Sequence, residues 1–178
     1  LISNEKDGDV EVFSSYSSRT VNNFWNLLFY NTQTGQINIL DENRRMVITS
    51  MEYKVHPPAT IGVIFYEIKV ADYNKDGLQD HKDPTYLFVS NHDGTTFRQL
   101  SPNEINLTHW QLLAKSSLVL MQGTRNSNND KKFDEEDETV VYQFDLNKNT
   151  VPAEPFSKDL VERLKLTLWK HWGQQKKG

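Results

Sequence analysis

The chain has 178 residues, 37% hydrophobic and 25% charged, with a formal net charge of −4. That suits one domain with a real core and excludes a disordered chain. The acidic balance carries no basic stripe for nucleic acid, no apolar run approaches the ~20 residues of a membrane helix, and the absence of cysteine excludes disulfides, thiolate catalysis and cysteine–zinc sites.

Residues 1–25 lack the basic and apolar regions of a signal peptide. Residues 26–31, a Thr34-Gly35 turn and residues 36–40 read as strand, turn, strand. The Ser- and Asn-rich stretch 12–23 precedes them and carries no acidic ladder, so no ion is expected there. A further strand follows at 47–53. In residues 64–70, Ile64, Tyr66, Ile68 and Val70 recur at period two among β-branched and aromatic types, which predicts a strand.

The next segment is an acidic ladder: Asp72, Asn74, Asp76, Gly77, Leu78, Asp80, Asp83. Oxygen side chains stand at relative positions 1, 3, 5, 9 and 12. Calcium takes six to eight hard oxygen ligands, and a 12-residue loop supplies them at this spacing. Asp72, Asn74 and Asp76 would be the first ligands, Leu78 would give its carbonyl, and Asp80 and Asp83 would close the shell. Gly77 falls where the turn is sharpest. Four carboxylates this close repel one another without a cation, so the metal-free loop should be destabilising. The other reading of the ladder is a solvated acidic turn.

The ladder resembles the loop of EF-hand and dockerin modules, with different flanks. Asp83-Pro84 cannot begin a helix comfortably, and Tyr86-Leu87-Phe88-Val89 is strand-like again. The loop therefore joins two strands. A twelfth-position Asp instead of Glu shortens bidentate reach.

A second ladder reads Asn126, Asn128, Asp130, Lys131, Lys132, Asp134, Asp137, at a constant offset of 54 residues from the first. The candidate ligands are Asn126, Asn128, Asp130, Lys132 in the place of Leu78, Asp134 and Asp137. Asn at position 1 and Lys131 at position 6 weaken it, and a copy that kept the turn and lost the ion is the alternative. The offset continues: residues 86–89 lie over 140–143, the turn 91–94 over 145–148, and strand 96–100 over 151–156. Strand 47–53 corresponds to 105–113.

Each full unit thus reads as about four short antiparallel strands, with the acidic loop between the second and third. Such periods are a signature of propeller blades. On "DPTYLFVSNHDGTTFRQLSP" at 83–102 and "NLLFYNTQTGQINIL" at 26–40, the chain resembles the TolB-like, WD40-like β-propeller repeat family over about residues 10–156. In that family a strand ends in a polar turn near Asp-Gly and the next leads into Leu-Ser/Thr-Pro, as Leu100-Ser101-Pro102 does here. The expected fold is all-β: about three blade-like repeats, at 9–43, 46–102 and 104–156, with a C-terminal helix and basic tail at 157–178. Rings usually need four to eight blades, so the chain is a fragment, shares a ring with other chains, or stacks openly with edges that need cover.

Ser157 is a candidate N-cap, with Phe156 and Val161 placed as a staple. Leu160, Leu164, Leu168 and Trp172 make one apolar stripe, and Gly173 is the stop. Leu164, Leu166 and Leu168 also alternate, which keeps a closing strand as the competing reading. The helix is expected to cover an open end of the sheets. Lys165, Lys170, Lys176 and Lys177 suit either a membrane surface or a solvated face.

Among five histidines there is no HExxH or His-x-His pair, and no nucleophile elbow or phosphate loop occurs. The expected function is a calcium-binding, non-enzymatic scaffold for protein or glycan interaction. Its expected place is the cell envelope or outside the cell (periplasmic or secreted), where calcium is near millimolar. Nucleic acid and a transmembrane segment are not expected, whereas a homo-oligomer that completes a ring or covers sheet edges is. The alternatives are a carboxylate- or calcium-dependent hydrolase of glycans or peptides, and a purely structural subunit. Trp25, Trp110, Trp169 and Trp172 are candidates for sugar stacking, against the commoner packing role.

Overall fold

Ten strands and one helix make up the described part of the chain: β1 (Val10–Phe13), β2 (Leu28–Asn31), β3 (Ile37–Ile39), β4 (Val47–Lys54), β5 (Val63–Lys69), β6 (Tyr86–Asn91), β7 (Arg98–Gln99), β8 (Ile105–Leu112), β9 (Leu118–Arg125), β10 (Glu138–Asp145) and α1 (Lys158–Trp172). The structure is a computed structural model, and it describes residues 10–13, 23–59, 62–148 and 151–173. The strands form three antiparallel sheets, ordered β1-β2-β3, β4-β5-β6-β7 and β10-β9-β8. Among the described residues each is a meander, and none of the three closes on itself. The candidate ion-free stretch falls largely on residues 14–22, and Lys176 and Lys177 on 174–178, all outside the described residues.

The middle sheet is buried on both faces. Along β5, Ile64, Tyr66 and Ile68 pack with Leu27, Phe29 and Ile48 on one side. Phe65 points the other way, with Leu87 and Val89 of β6, into a second core shared with Val119, Met121 and Phe144. Phe65 is fully buried and its ring stacks on Trp110 at 4.5 Å. Burial of each such side chain contributes about 1.5–3 kcal/mol. The period-two pattern of β5 is thus one face of a strand whose other face is also covered.

The second and third sheets repeat in detail. The β4–β5 register slips between Ile48 and Ser50, and the β8–β9 register between Leu107 and His109. The bulged residue is Thr in both. Thr49 Oγ1 donates to the Glu67 carbonyl at 3.1 Å, and Thr108 Oγ1 to the Gln122 carbonyl at 3.2 Å. The β6–β7 turn closes at Gly94, where φ is +81° and a Cβ would lie 2.4 Å from the Phe29 ring. That position therefore needs glycine for both conformation and space.

Two expectations change. Among the described residues, four strands stand only in the second sheet. In the third, the fourth strand shrinks to one bridge, Gln143 with Ala153. Pro152 and Pro155 flank that bridge and have no N–H to extend a ladder. The helix forms where its caps predict: Ser157 accepts from the Leu160 amide at 3.3 Å, and the Gly173 amide donates to the Trp169 carbonyl at 2.8 Å. It does not cover a sheet, because none of its residues is buried.

Candidate functional site

Both acidic ladders lie in connections between strands that end side by side, β5 to β6 and β9 to β10. In the first loop, Asp72 accepts from the Asp76 amide at 3.0 Å and from the Gly77 amide at 2.8 Å. Asn74 Oδ1 accepts from the Asp76 amide at 2.9 Å, and Asp76 Oδ1 from the Leu78 amide at 3.0 Å. Asp80 Oδ1 accepts from Lys82 at 2.9 Å. Asp83 staples the loop shut: Oδ1 accepts from Tyr73 at 2.8 Å and Oδ2 from Asp80 at 3.0 Å. Asp83 is only 1% exposed.

The second loop copies this pattern 54 residues on. Asn128, Asp130 and Asp134 accept from the amides of Asp130, Lys132 and Glu136 at 3.0, 2.8 and 3.0 Å. Asp137 repeats the staple, accepting from Ser127 at 2.8 Å and Asp134 at 3.3 Å. The left-handed residues match as well: Lys75 and Gly77 have φ of 63° and 87°, and Asn129 and Lys131 have 61° and 66°. A non-glycine residue there is strained by about 1–2 kcal/mol. Lys131 takes the conformation that Gly77 holds freely, so the surrounding hydrogen bonds impose the loop shape.

The loops touch. The Tyr73 and Phe133 rings lie 4.9 Å apart, and Asn126 Nδ2 donates to the Tyr73 hydroxyl at 3.2 Å. Gln79, at the first-loop position that matches Phe133, donates to the Arg45 carbonyl at 3.4 Å. Position 8 of each loop thus reaches out of its own loop, in the first copy to the segment just ahead of its repeat and in the second to the other loop. Sequence reasoning missed this pairing, although an aromatic residue at position 2 of one ladder and position 8 of the other was its visible trace. It also missed Lys69, whose ammonium donates to the Asp83 carbonyl and, at 3.0 Å, to Thr85 Oγ1. Burial lowers the Lys69 pKa, while Asp83 and Asp80 oppose that shift.

Charge is unevenly met. The Lys82 ammonium stands 3.6 Å from Asp76, and the mostly exposed His81 ring stands 3.8 Å from Asp80. The Leu78 amide and the Asn74 side chain hold the Asp76 carboxyl below its usual range. Burial raises the Asp137 carboxyl, but the amides of Ser127 and Asp134 outweigh it and the net shift is downward.

The donors fit a hard cation in kind, since every candidate ligand atom is oxygen. A carboxylate oxygen that accepts one amide keeps a further lone pair. Among the described residues, two wholly buried side-chain polar atoms lack a hydrogen-bond partner: Gln79 Oε1 and Asn126 Oδ1. Both belong to these loops. The arrangement itself is not convergent, for among the described residues no three His, Cys, Asp or Glu side chains group to hold an ion. Asp72 and Asn126 differ most, since Asp72 closes its own loop whereas Asn126 turns to Tyr73.

Of the tryptophans, Trp110 is partly buried against the second core and donates to Glu67 Oε1 at 3.0 Å, whereas Trp25, Trp169 and Trp172 are exposed. Among the described residues no helix is long and apolar enough to cross a membrane. No family model, curated protein or solved structure matches the chain.

Proposed function

We propose that this chain is a calcium-stabilised, non-enzymatic β-repeat scaffold of TolB-like blade plan. It would bind a protein or glycan partner in the cell envelope or outside the cell, and associate with further copies of itself. The observation that carries this reading is the loop shape, built twice and stapled in the same way by Asp83 and Asp137 despite Gly77 in one copy and Lys131 in the other. Two such loops joined by Tyr73 and Phe133 make one rim. Calcium would engage Asp72, Asn74, Asp76, the Leu78 carbonyl, Asp80 and Asp83 in the first, with the matching residues of the second as a weaker set. A cation there would relieve carboxylate repulsion and fix the rim that a partner meets.

The test is a thermal melt of chelated protein against added calcium, with magnesium as the control. A ligand that binds only the folded form adds about 2.7 kcal/mol at 100 times its dissociation constant. For a chain of this size that is a rise of roughly 5–10 °C. A calcium-specific rise supports the reading. No rise, or an equal one with magnesium, removes calcium from it.

A further inference from the structure

Among the described residues, fifteen large apolar side chains are at least 36% exposed, and most of them fall in two places. The first is the outer face of the first sheet, where Leu28 stands opposite Ile39 and Tyr30 opposite Ile37. These four are 36–61% exposed, with Trp25 just ahead of them at 68%. Exposed apolar residues scattered singly are ordinary, but a contiguous cross-strand block is not. Beside it runs an open groove of about 800 Å³, lined by residues 37–43 and 94–97. Its lining includes Asp41 and Glu42 and no lysine or arginine. Arg44 meets Asp41 at 3.5 Å from outside the lining, and among the described residues Glu42 forms no ion pair.

The second place is α1. It is capped at both ends and buries nothing. Phe156, Leu160, Val161, Leu164, Lys165 and Leu168 line an apolar groove along it. Its charges are Lys158, Arg163, Lys165 and Lys170 against Asp159 and Glu162, a net of +2. An amphipathic, basic helix thus follows the third sheet in the chain, and an apolar face with an acidic groove lies on the first.

They do not meet within one chain, since none of the residues of α1 is buried. Glu154 is ion-paired to Arg125 of the third sheet, three residues before the N-cap Ser157.

We infer that α1 of one copy of this chain lays its Leu160, Leu164, Leu168, Trp172 stripe on the β2–β3 face and acidic groove of a second copy, head to tail. This specifies the self-association part of the proposed function and is independent of calcium. Helix on sheet is a standard way to bury two apolar surfaces. The contact is heterologous, so it builds rings or open chains and not a self-paired dimer.

The experiment measures mass by light scattering on the full chain, in chelator, across a concentration series. Leu164→Asp and Ile37→Asp change exposed positions, so circular dichroism should stay native. The wild type should exceed its 20.7 kDa monomer mass as concentration rises. Each variant alone should stay monomeric. Mixed in equal amounts they retain one intact helix and one intact face, so they should form a 1:1 dimer and nothing larger. Lys165→Glu should weaken wild-type association several-fold. A monomeric wild type overturns the inference, as does either variant keeping the wild-type mass. Recovery of no dimer on mixing indicates a self-paired contact and also overturns it. Protection of α1 on phosphatidylserine vesicles, with no self-association, makes lipid the occupant and refutes a second copy.

Discussion

Replacing Asp83 by alanine should be the costliest single change in either acidic loop, and its cost can be worked from two contacts. The carboxylate is 1% exposed and accepts the Tyr73 amide at 2.8 Å and the Asp80 amide at 3.0 Å. A hydrogen bond to a charged group contributes about 1.5–3 kcal/mol, and removing the acceptor leaves donors unsatisfied. The two together give a loss of about 3–5 kcal/mol, or roughly 10 °C in Tm for a chain of this length. Asp83→Asn keeps one acceptor and turns an amide donor toward the other N–H, so it should recover only part of the loss. Asp137→Ala removes the same two bonds, but one is 3.3 Å long and the residue is more exposed, so its loss should be smaller. Urea denaturation in chelator measures all three. An Asp83→Ala loss below about 0.5 kcal/mol, within the range of ordinary surface substitutions, would refute the stapling argument. So would a larger loss for Asp137→Ala.

Calcium titration by calorimetry should show Asp76→Ala lowering affinity sharply while His81→Ala leaves it unchanged, and equal loss from both would sink the ligand assignment. Phe133→Ala removes the ring against Tyr73, 4.9 Å away. It should cost about 1–2 kcal/mol in urea, from the aromatic pairing and lost burial, and no change would mean the loops are independent. Asp76 and Asp137 are both held below their usual range in the folded chain. The unfolded chain then binds more protons at low pH, so their stabilisation is complete above the unfolded value near ~4 and is lost as pH falls through the folded values. Urea midpoints from pH 6 to 2 should therefore drop below about pH 4, less steeply in Asp76→Asn/Asp137→Asn, and identical slopes would contradict the shift.

Much of the architecture was legible because its signals are local. Period-two alternation placed β5, and the ladder spacing placed the second loop to the residue and the first within two residues of its flanking strands. The Ser157 cap and the spacing-four leucines placed α1. Contacts between repeats left fainter marks. Nothing local distinguishes Phe65, which faces the third sheet, from a residue on a solvated face, since that depends on a neighbour folded 40 residues later. The third repeat's second strand was required by the pattern but not placed. In the structure it is β9, interrupted in composition by Gly123, where a Cβ would lie 2.7 Å from the Asn106 carbonyl. The helix was read correctly as amphipathic and wrongly as a cover, because a stripe declares that something must pack on it and not which surface does. Asp83 looked like one more ligand, and its burial and its two amide bonds came only with the fold.

Hydrogen exchange of the chelated and calcium-loaded chain tests the central claim most directly, because it reads the loop amides themselves. The amides of Asp76, Gly77 and Leu78 already bond to ladder oxygens. With calcium, and not with magnesium, they should slow by an order of magnitude or more, and those of Asp130, Lys132 and Glu136 by less. Unchanged exchange in both loops at millimolar calcium would contradict the account and leave the ladders as solvated turns.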